Sequence, residues 1–389
     1  MFGFKLSHLT AGFISVLVGY SAGGAIVFQA AEAAGASQAE INSWMLALGL
    51  GMGITGLILS LYYKIPILTA WSTPGAALLA VSLVGVPMNQ AVGAFLLCGL
   101  LLTITGLTGW FEKIAKFVPL PLASAMLAGV LFQFGVGIFQ SLEQEVALVT
   151  SMGIAYLLGK IFLGRYAVPM VLLVGIIMSG VLGLYRPQEI ELAIAVPVFI
   201  MPEFNFSILL SVGVPLYIVT MTSQNMPGVA TLRAGGYEPP ISASVTVTGI
   251  MTLLFAPFGG YTFNLAAITA AICLGDDADE NKQTRYKAAV VAGVFYMVVG
   301  LMGATVVSLF FIAPKALILA IAGMALLGTI GNALVGALAD VKQREAALIT
   351  FLVTVSGLSF FGIGAAFWGL LIGVLANLLM KWLPAKNQR

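Results

Sequence analysis

Apolar residues run in long blocks along this chain, parted by short polar breaks that carry nearly all of its charge. Reading from break to break gives spans at 9–31, 42–62, 72–85, 89–110, 118–138, 145–163, 168–185, 207–232, 240–256, 263–275, 288–311, 315–338, 346–360 and 364–383. Blocks such as 91–108 and 288–312 are apolar on every face, without the alternation that a barrel strand of about 10 residues needs. In lipid only a helix satisfies the backbone of such a block. The pattern predicts an all-α polytopic membrane protein with 14 transmembrane segments.

Composition removes the alternatives. Of 389 residues 60% are apolar and 8% charged, against about 25% charged in soluble domains, and the mean hydropathy is +1.06. A span with its connection takes roughly 25–28 residues, so fourteen of them leave no room for a soluble domain. The first block follows a single lysine and no small-residue cleavage site, which reads as a first helix and not as a removed signal peptide.

Charge then sets the orientation. With a cytoplasmic N-terminus, 15 of the 17 cations, among them Lys5, Lys113, Lys116, Lys282, Arg285, Lys386 and Arg389, fall in loops on that side. The other side holds only Arg186 and Lys315. Such a bias obeys the positive-inside rule, and losing or gaining one span would scramble it. The expected setting is therefore a bacterial inner membrane, crossed many times, with both termini cytoplasmic.

Several chemistries have nothing to build on. A net charge of +2 without basic runs gives no footprint for nucleic acid. Cys98 and Cys273 sit in apolar blocks as packing residues, and His8 is the only histidine, so no metal site, no catalytic group and no cofactor is expected. The run Asp276-Asp277-Ala278-Asp279-Glu280 lacks the glycine and closing glutamate of a calcium loop and is expected to be solvated, as are Glu32 and Asp340 at span ends. No carboxylate, lysine or arginine falls near a span centre, so the usual buried proton relay is absent from the pattern.

Two spans, 72–85 and 263–275, are too short to cross about 30 Å alone. In the first, Pro66 stops a helix, an extended stretch follows, and Ser72 or Thr73 ahead of Pro74 is placed to cap a new one. The second has the same order, with Pro257, an aromatic stretch and Thr262 or Asn264 as the cap. The flanks agree: Ala34-Gly35 through Glu40-Ile41 resembles Ala234-Gly235 through Pro240-Ile241, after which the second copy is shorter. Seven spans per copy make the copies face opposite ways, an inverted repeat of residues 1–185 and 207–383, and matched interruptions then point to the binding site. Two half-helices starting at mid-membrane would turn their N-termini on an anion. Gly19/Gly23, Gly369/Gly373 and Gly49/Gly51/Gly53/Gly56 read as close helix packing.

Three stretches carry a family resemblance: Gly19-Tyr20-Ser21-Ala22-Gly23-Gly24, Thr69-Ala70-Trp71-Ser72-Thr73-Pro74-Gly75-Ala76 and Gln224-Asn225-Met226-Pro227-Gly228. They resemble the benzoate/proton symporter family BenE, similar in architecture to the uracil permease and sulphate transporter families. The resemblance implies a core domain (about 9–110 and 207–311), a gate domain (about 118–185 and 315–383), and paired short strands before half-helices 3 and 10. It also implies a secondary transporter that imports benzoate or a similar small aromatic carboxylate with a proton, and a possible homodimer through the gate. A nucleobase or inorganic-anion carrier of the same fold is the alternative; a channel or membrane-embedded enzyme fits less well. Carried onto this chain, the substrate contacts are Tyr20 and Ser21 in span 1, Ser72, Thr73, Pro74, Gly75 and Ala76 at span 3, Ser223, Gln224 and Asn225 in span 8, and Thr262, Phe263 and Asn264 at span 10. Uracil permeases carry acids in spans 8 and 10; here amides stand in their place, leaving no obvious proton carrier.

Overall fold

The computed structural model describes residues 3–111, 119–186, 192–276, 278–360 and 365–382. Lys113, Lys116, Asp277, Lys386, Arg389 and the expected span starts at 118 and 364 lie outside the described residues. The apolar blocks become helices α1 (Leu6–Ala33), α2 (Gln38–Tyr63), α3 (Thr73–Ser82), α4 (Met88–Thr108), α5 (Leu120–Gln144), α6 (Val146–Phe162) and α7 (Ala167–Val181). After residues 192–205, which form no helix or strand, come α8 (Phe206–Arg233), α9 (Ile241–Phe255), α10 (Ile268–Leu274), α11 (Tyr286–Leu301), α12 (Gly303–Ile312), α13 (Lys315–Leu338), α14 (Arg344–Val355) and α15 (Ala365–Trp382). Among the described residues eight helices are long and apolar enough to cross a membrane by themselves.

Strands form ahead of both short helices. Lys64 ends α2 in the left-handed region (φ 54°), Pro66 prevents a restart, and β1 (Thr69–Trp71) follows. In the second half Gly259, at φ 95°, turns the chain under the indole of Trp44, a conformation only glycine adopts freely, and β2 (Phe263–Leu265) follows. The strands pair antiparallel in the register Thr69↔Leu265, Ala70↔Asn264, Trp71↔Phe263.

Side chains from the surrounding helices fix this ribbon. Thr69 Oγ1 donates to the Met52 carbonyl at 2.7 Å. The Phe263 N–H donates to Thr252 Oγ1 and the Leu265 N–H to Asn225 Oδ1, both at 3.0 Å. Glycines leave the space: a Cβ on Gly23 would meet the Trp71 indole, and one on Gly51 the Phe263 ring. Gly49 backs directly onto Gly300, so α2 and α11 touch backbone to backbone. Gly49 packs helices, as the spacing predicts, whereas Gly23 and Gly51 seat the ribbon.

From the ribbon the short helices run in opposite directions. Trp71 and Thr73 lie against Gly23 at the middle of α1, and Ala80 lies beside Phe28 and Glu32 near its end. Thr269 lies against Gly19, and Cys273 beside Ser15, one turn nearer the start of α1. Ser72 caps α3 by accepting from the Gly75 N–H at 3.0 Å, as its sequence predicts. The α10 cap differs from expectation. Thr262 and Asn264 are not its caps, because strand pairing draws 263–265 into the ribbon, and Ala267, without a capping side chain, precedes Ile268.

The acidic loop also departs from expectation. Asp279 is 2% exposed, because His8 Nε2 and Lys5 Nζ each meet its carboxylate at 2.8 Å while Thr284 Oγ1 donates to it at 2.6 Å. His8 Nδ1 accepts from the Lys5 N–H, so Nε2 carries the proton and donates to Asp279. Arg285, itself 8% exposed, closes the loop by donating to the Asp279 and Leu274 carbonyls and to Asp276. The hydrogen bonds from Lys5 and Thr284 hold the Asp279 carboxyl well below the usual carboxylate range. A depressed folded-state value contributes stability above the unfolded value of about 4, lost as pH falls below it. Thermal melts of wild type should therefore lose stability below about pH 4, and Asp279→Asn should melt lower at neutral pH with a shallower acid decline. Identical profiles would deny the cluster this role.

Candidate functional site

Three interruptions of regular structure meet beside the middle of α1. Two are the strand-to-helix joints, residues 71–74 and 265–268. The third lies in α8, which contains π turns at Leu209–Gly213 and Met221–Asn225. Each π turn stands just ahead of a proline, Pro215 or Pro227, which lacks the N–H that the carbonyl four residues earlier requires. The second turn splits its neighbours: Thr222, Ser223 and Gln224 reach a cavity, whereas Asn225 turns to the ribbon backbone.

That cavity measures about 360 Å³, within the range of about 300–1,000 Å³ usual for small-molecule sites. One wall is Val18, Gly19 and Ala22 of α1 with Ala70, Trp71, Thr73 and Pro74. Another is Thr222, Ser223, Gln224 and Pro227 with Ala266, Ala267, Ile268 and Thr269. Met52 and Tyr296 close the side, and Ser124 and Leu127 of α5 with Ala325, Leu326, Thr329, Asn332 and Ala333 of α13 face them. No lining residue is charged; the polar groups are hydroxyls, two amides, the Trp71 indole and backbone. The first N–H groups of α3 and α10 have no acceptor within their own helices. In α3 the Ser72 hydroxyl and carbonyl take those of Gly75 and Ala76.

Of the predicted contacts, Thr73, Pro74, Ser223 and Gln224 line the cavity. Ser72, Gly75 and Ala76 stand one layer behind, occupied by the α3 cap, and Tyr261 donates to the Ser72 carbonyl at 3.0 Å. Tyr20 is edge-on to Trp71 at 4.8 Å between ring centres, its hydroxyl buried without a partner. Ser21 donates to the Val18 carbonyl. Asn225 anchors β2, and Thr262 and Phe263 are buried, the Phe263 ring over Gly51. Asn264 is fully buried with neither amide atom hydrogen-bonded. It stands directly opposite Ala70, a lining residue, and opposed residues share one face of an antiparallel pair.

The α5 and α13 face was absent from the sequence reading. Its signal was Thr329 and Asn332, polar residues one helical turn apart in an otherwise apolar span. Trp71, Thr222, Thr269 and Tyr296 also went unread.

A multi-pass helical bundle with an uncharged cavity where two broken segments meet has the build of a membrane transporter. Its fold is shared with solved anion transporters. Murine Slc26a9, an anion transporter solved in the inward-facing state, superposes with a TM-score of 0.62 at 13% identity over 100% of this chain and 70% of that one. The transmembrane domain of the cyanobacterial bicarbonate transporter BicA gives 0.56 at 16% identity over 96% of each chain. Sequence then supplies the family. Residues 3–379 match the family described as BenE, benzoate membrane transport protein. The inner membrane protein YdcO of Escherichia coli K12 is 43% identical over 100% of this chain and 99% of its own. The benzoate membrane transport protein of Acinetobacter baylyi is 40% identical over 97% and 95%. The chain belongs to the BenE benzoate transport family and is a transporter, not an enzyme.

Proposed function

We propose that this protein is a secondary transporter that imports benzoate or a similar small aromatic carboxylate by proton symport across a bacterial inner membrane. The observation that carries the reading is the uncharged cavity between the two strand-to-helix joints, with aromatic Trp71 and Tyr296 on its walls and Gln224, Thr73, Ser223 and Asn332 supplying polar groups. A relative named as a benzoate membrane transport protein supports the substrate class, and one named as an inner membrane protein supports the location. In this reading the ring lies against the aromatic wall, where such contacts are worth about 0.5–1.5 kcal/mol. Its carboxylate meets hydroxyls, amides and the positive field at the start of α3.

The same reading makes residues 1–185 and 207–383 inverted repeats of seven spans, and sets α1–α4 with α8–α12 as a core that moves against a gate of α5–α7 and α13–α15. The positive-inside bias turns the end carrying Lys5 and Asp279 to the cytoplasm. No acid lines the cavity, so the substrate's own carboxylate is the titratable group at hand, and the proton enters with it or on water.

The test is uptake of labelled benzoate into liposomes holding the purified protein, with the outside made more acidic than the inside. Saturable uptake that rises with the imposed gradient is expected, inhibited by unlabelled benzoate and not by uracil, xanthine or sulphate. Uptake indifferent to the gradient ends the symport reading, and inhibition by uracil or sulphate moves the substrate to another class.

A further inference from the structure

A second cavity, of about 490 Å³, opens near the other end of α1. It brings together Glu32 of α1, Arg186 after α7 and Lys315, the first residue of α13. Arg186 and Lys315 are the two cations that charge counting leaves on this side of the membrane, and the fold places both on one cavity. The Arg186 N–H donates to the Ile312 carbonyl at 3.1 Å, which ties it to the chain just ahead of Lys315. Neither cation forms an ion pair among the described residues. Lys315 also adds its charge to the positive end of α13, where a cation is disfavoured unless an anion offsets it.

Three phenylalanines share the rest of the wall with Gln29 and aliphatic side chains. Phe28 stacks on Phe310 with ring centres 5.2 Å apart and meets Phe311 edge-on at 5.2 Å. Two cations on one cavity with the half-buried rings of Phe310 and Phe311 match a flat ring bearing one carboxylate, since guanidinium binds carboxylate in a two-pronged geometry and rings pack edge or face on rings. The central cavity holds no charged group; here charge is concentrated. Glu32 lies within electrostatic range of both cations, so its single charge offsets part of theirs and competes with other anions for them.

We propose that this cavity is a capture site, in which an aromatic carboxylate is held by Arg186 and Lys315 beside Phe310 and Phe311, with Phe28 backing those rings, before it enters the central site. The inference rests on the transport reading above and names an additional site for its substrate. Two cations against one carboxylate leave the cavity net positive, and clefts with an excess of one charge raise the local concentration of an oppositely charged ligand and its on-rate by roughly 10- to 1,000-fold at low salt, an effect that ionic strength suppresses.

The experiment compares initial uptake of benzoate by intact cells expressing wild type, Arg186→Gln/Lys315→Gln, and the charge-keeping Arg186→Lys/Lys315→Arg, at low and high salt. The neutral double variant should raise KM about tenfold at low salt with Vmax unchanged, and its KM should no longer rise with salt. The charge-keeping variant should retain the wild-type salt dependence. Phe311→Ala should raise KM for benzoate while sparing the salt effect. Thermal melts of each purified variant identify any that fail to fold, and Lys315→Gln alone then carries the comparison. A wild-type KM and salt dependence in the neutral variant overturn the capture site while leaving the transport reading intact. Wild-type cells that take up no aromatic acid overturn the transport reading itself.

Discussion

In liposomes, Asn264→Leu is expected to take up substrate roughly ten- to a hundredfold more slowly than wild type at equal incorporation, while melting at the same temperature or higher. The amide is fully buried and neither of its polar atoms has a hydrogen-bond partner, a state that costs roughly 1–3 kcal/mol. Leucine is of similar size and removes that cost, so stability should not suffer. A donor that meets a charged substrate contributes about 1.5–3 kcal/mol, and about 1.4 kcal/mol is one factor of ten in rate. Initial rates and melting temperature together decide: wild-type uptake removes Asn264 from the site, and a lower melting temperature shows that its amide supports the ribbon instead.

Gly49→Val should cost about 3 kcal/mol of stability, the upper end of the usual penalty for overpacking. A Cβ at 49 would stand 2.7 Å from the Tyr296 carbonyl oxygen and closer still to Gly300 Cα. These are backbone atoms and cannot rotate away, so α2 and α11 must separate. Gly331→Ala in α13 is the control, because a Cβ there meets nothing within 4 Å and alanine is the better helix former by about 1 kcal/mol. Denaturation of the two purified variants should give shifts of opposite sign; a Gly49→Val protein as stable as wild type would show that the helices separate without cost.

The apolar helices and the first half-helix were legible because their causes are local. Twenty apolar residues make a helix in lipid, and Ser72 ahead of Pro74 caps one wherever it occurs. The start of α10 was misread for a non-local reason. Thr262 and Asn264 have the side chains of caps, but the strand that claims this stretch depends on a partner at 69–71. Asp279 was misread in the same way: nothing near it in sequence reveals that Lys5 and His8 lie over it. The cavity was half legible. Thr73, Pro74, Ser223 and Gln224 belong to interrupted segments that the pattern singles out, whereas Ser124, Thr329 and Asn332 sit on unbroken helices and become lining residues only through packing.

The ribbon bears on how the protein is made. Its two strands are separated by roughly 200 residues of chain, and contacts so distant in sequence form late. At a synthesis rate of about 5–20 residues per second the ribosome delivers β2 roughly 10–40 s after β1. Throughout that interval the first strand has open hydrogen-bonding groups among membrane-embedded helices, where an unpaired backbone is costly. The central cavity, walled in part by this ribbon, is therefore absent from the growing chain until its second half has been inserted.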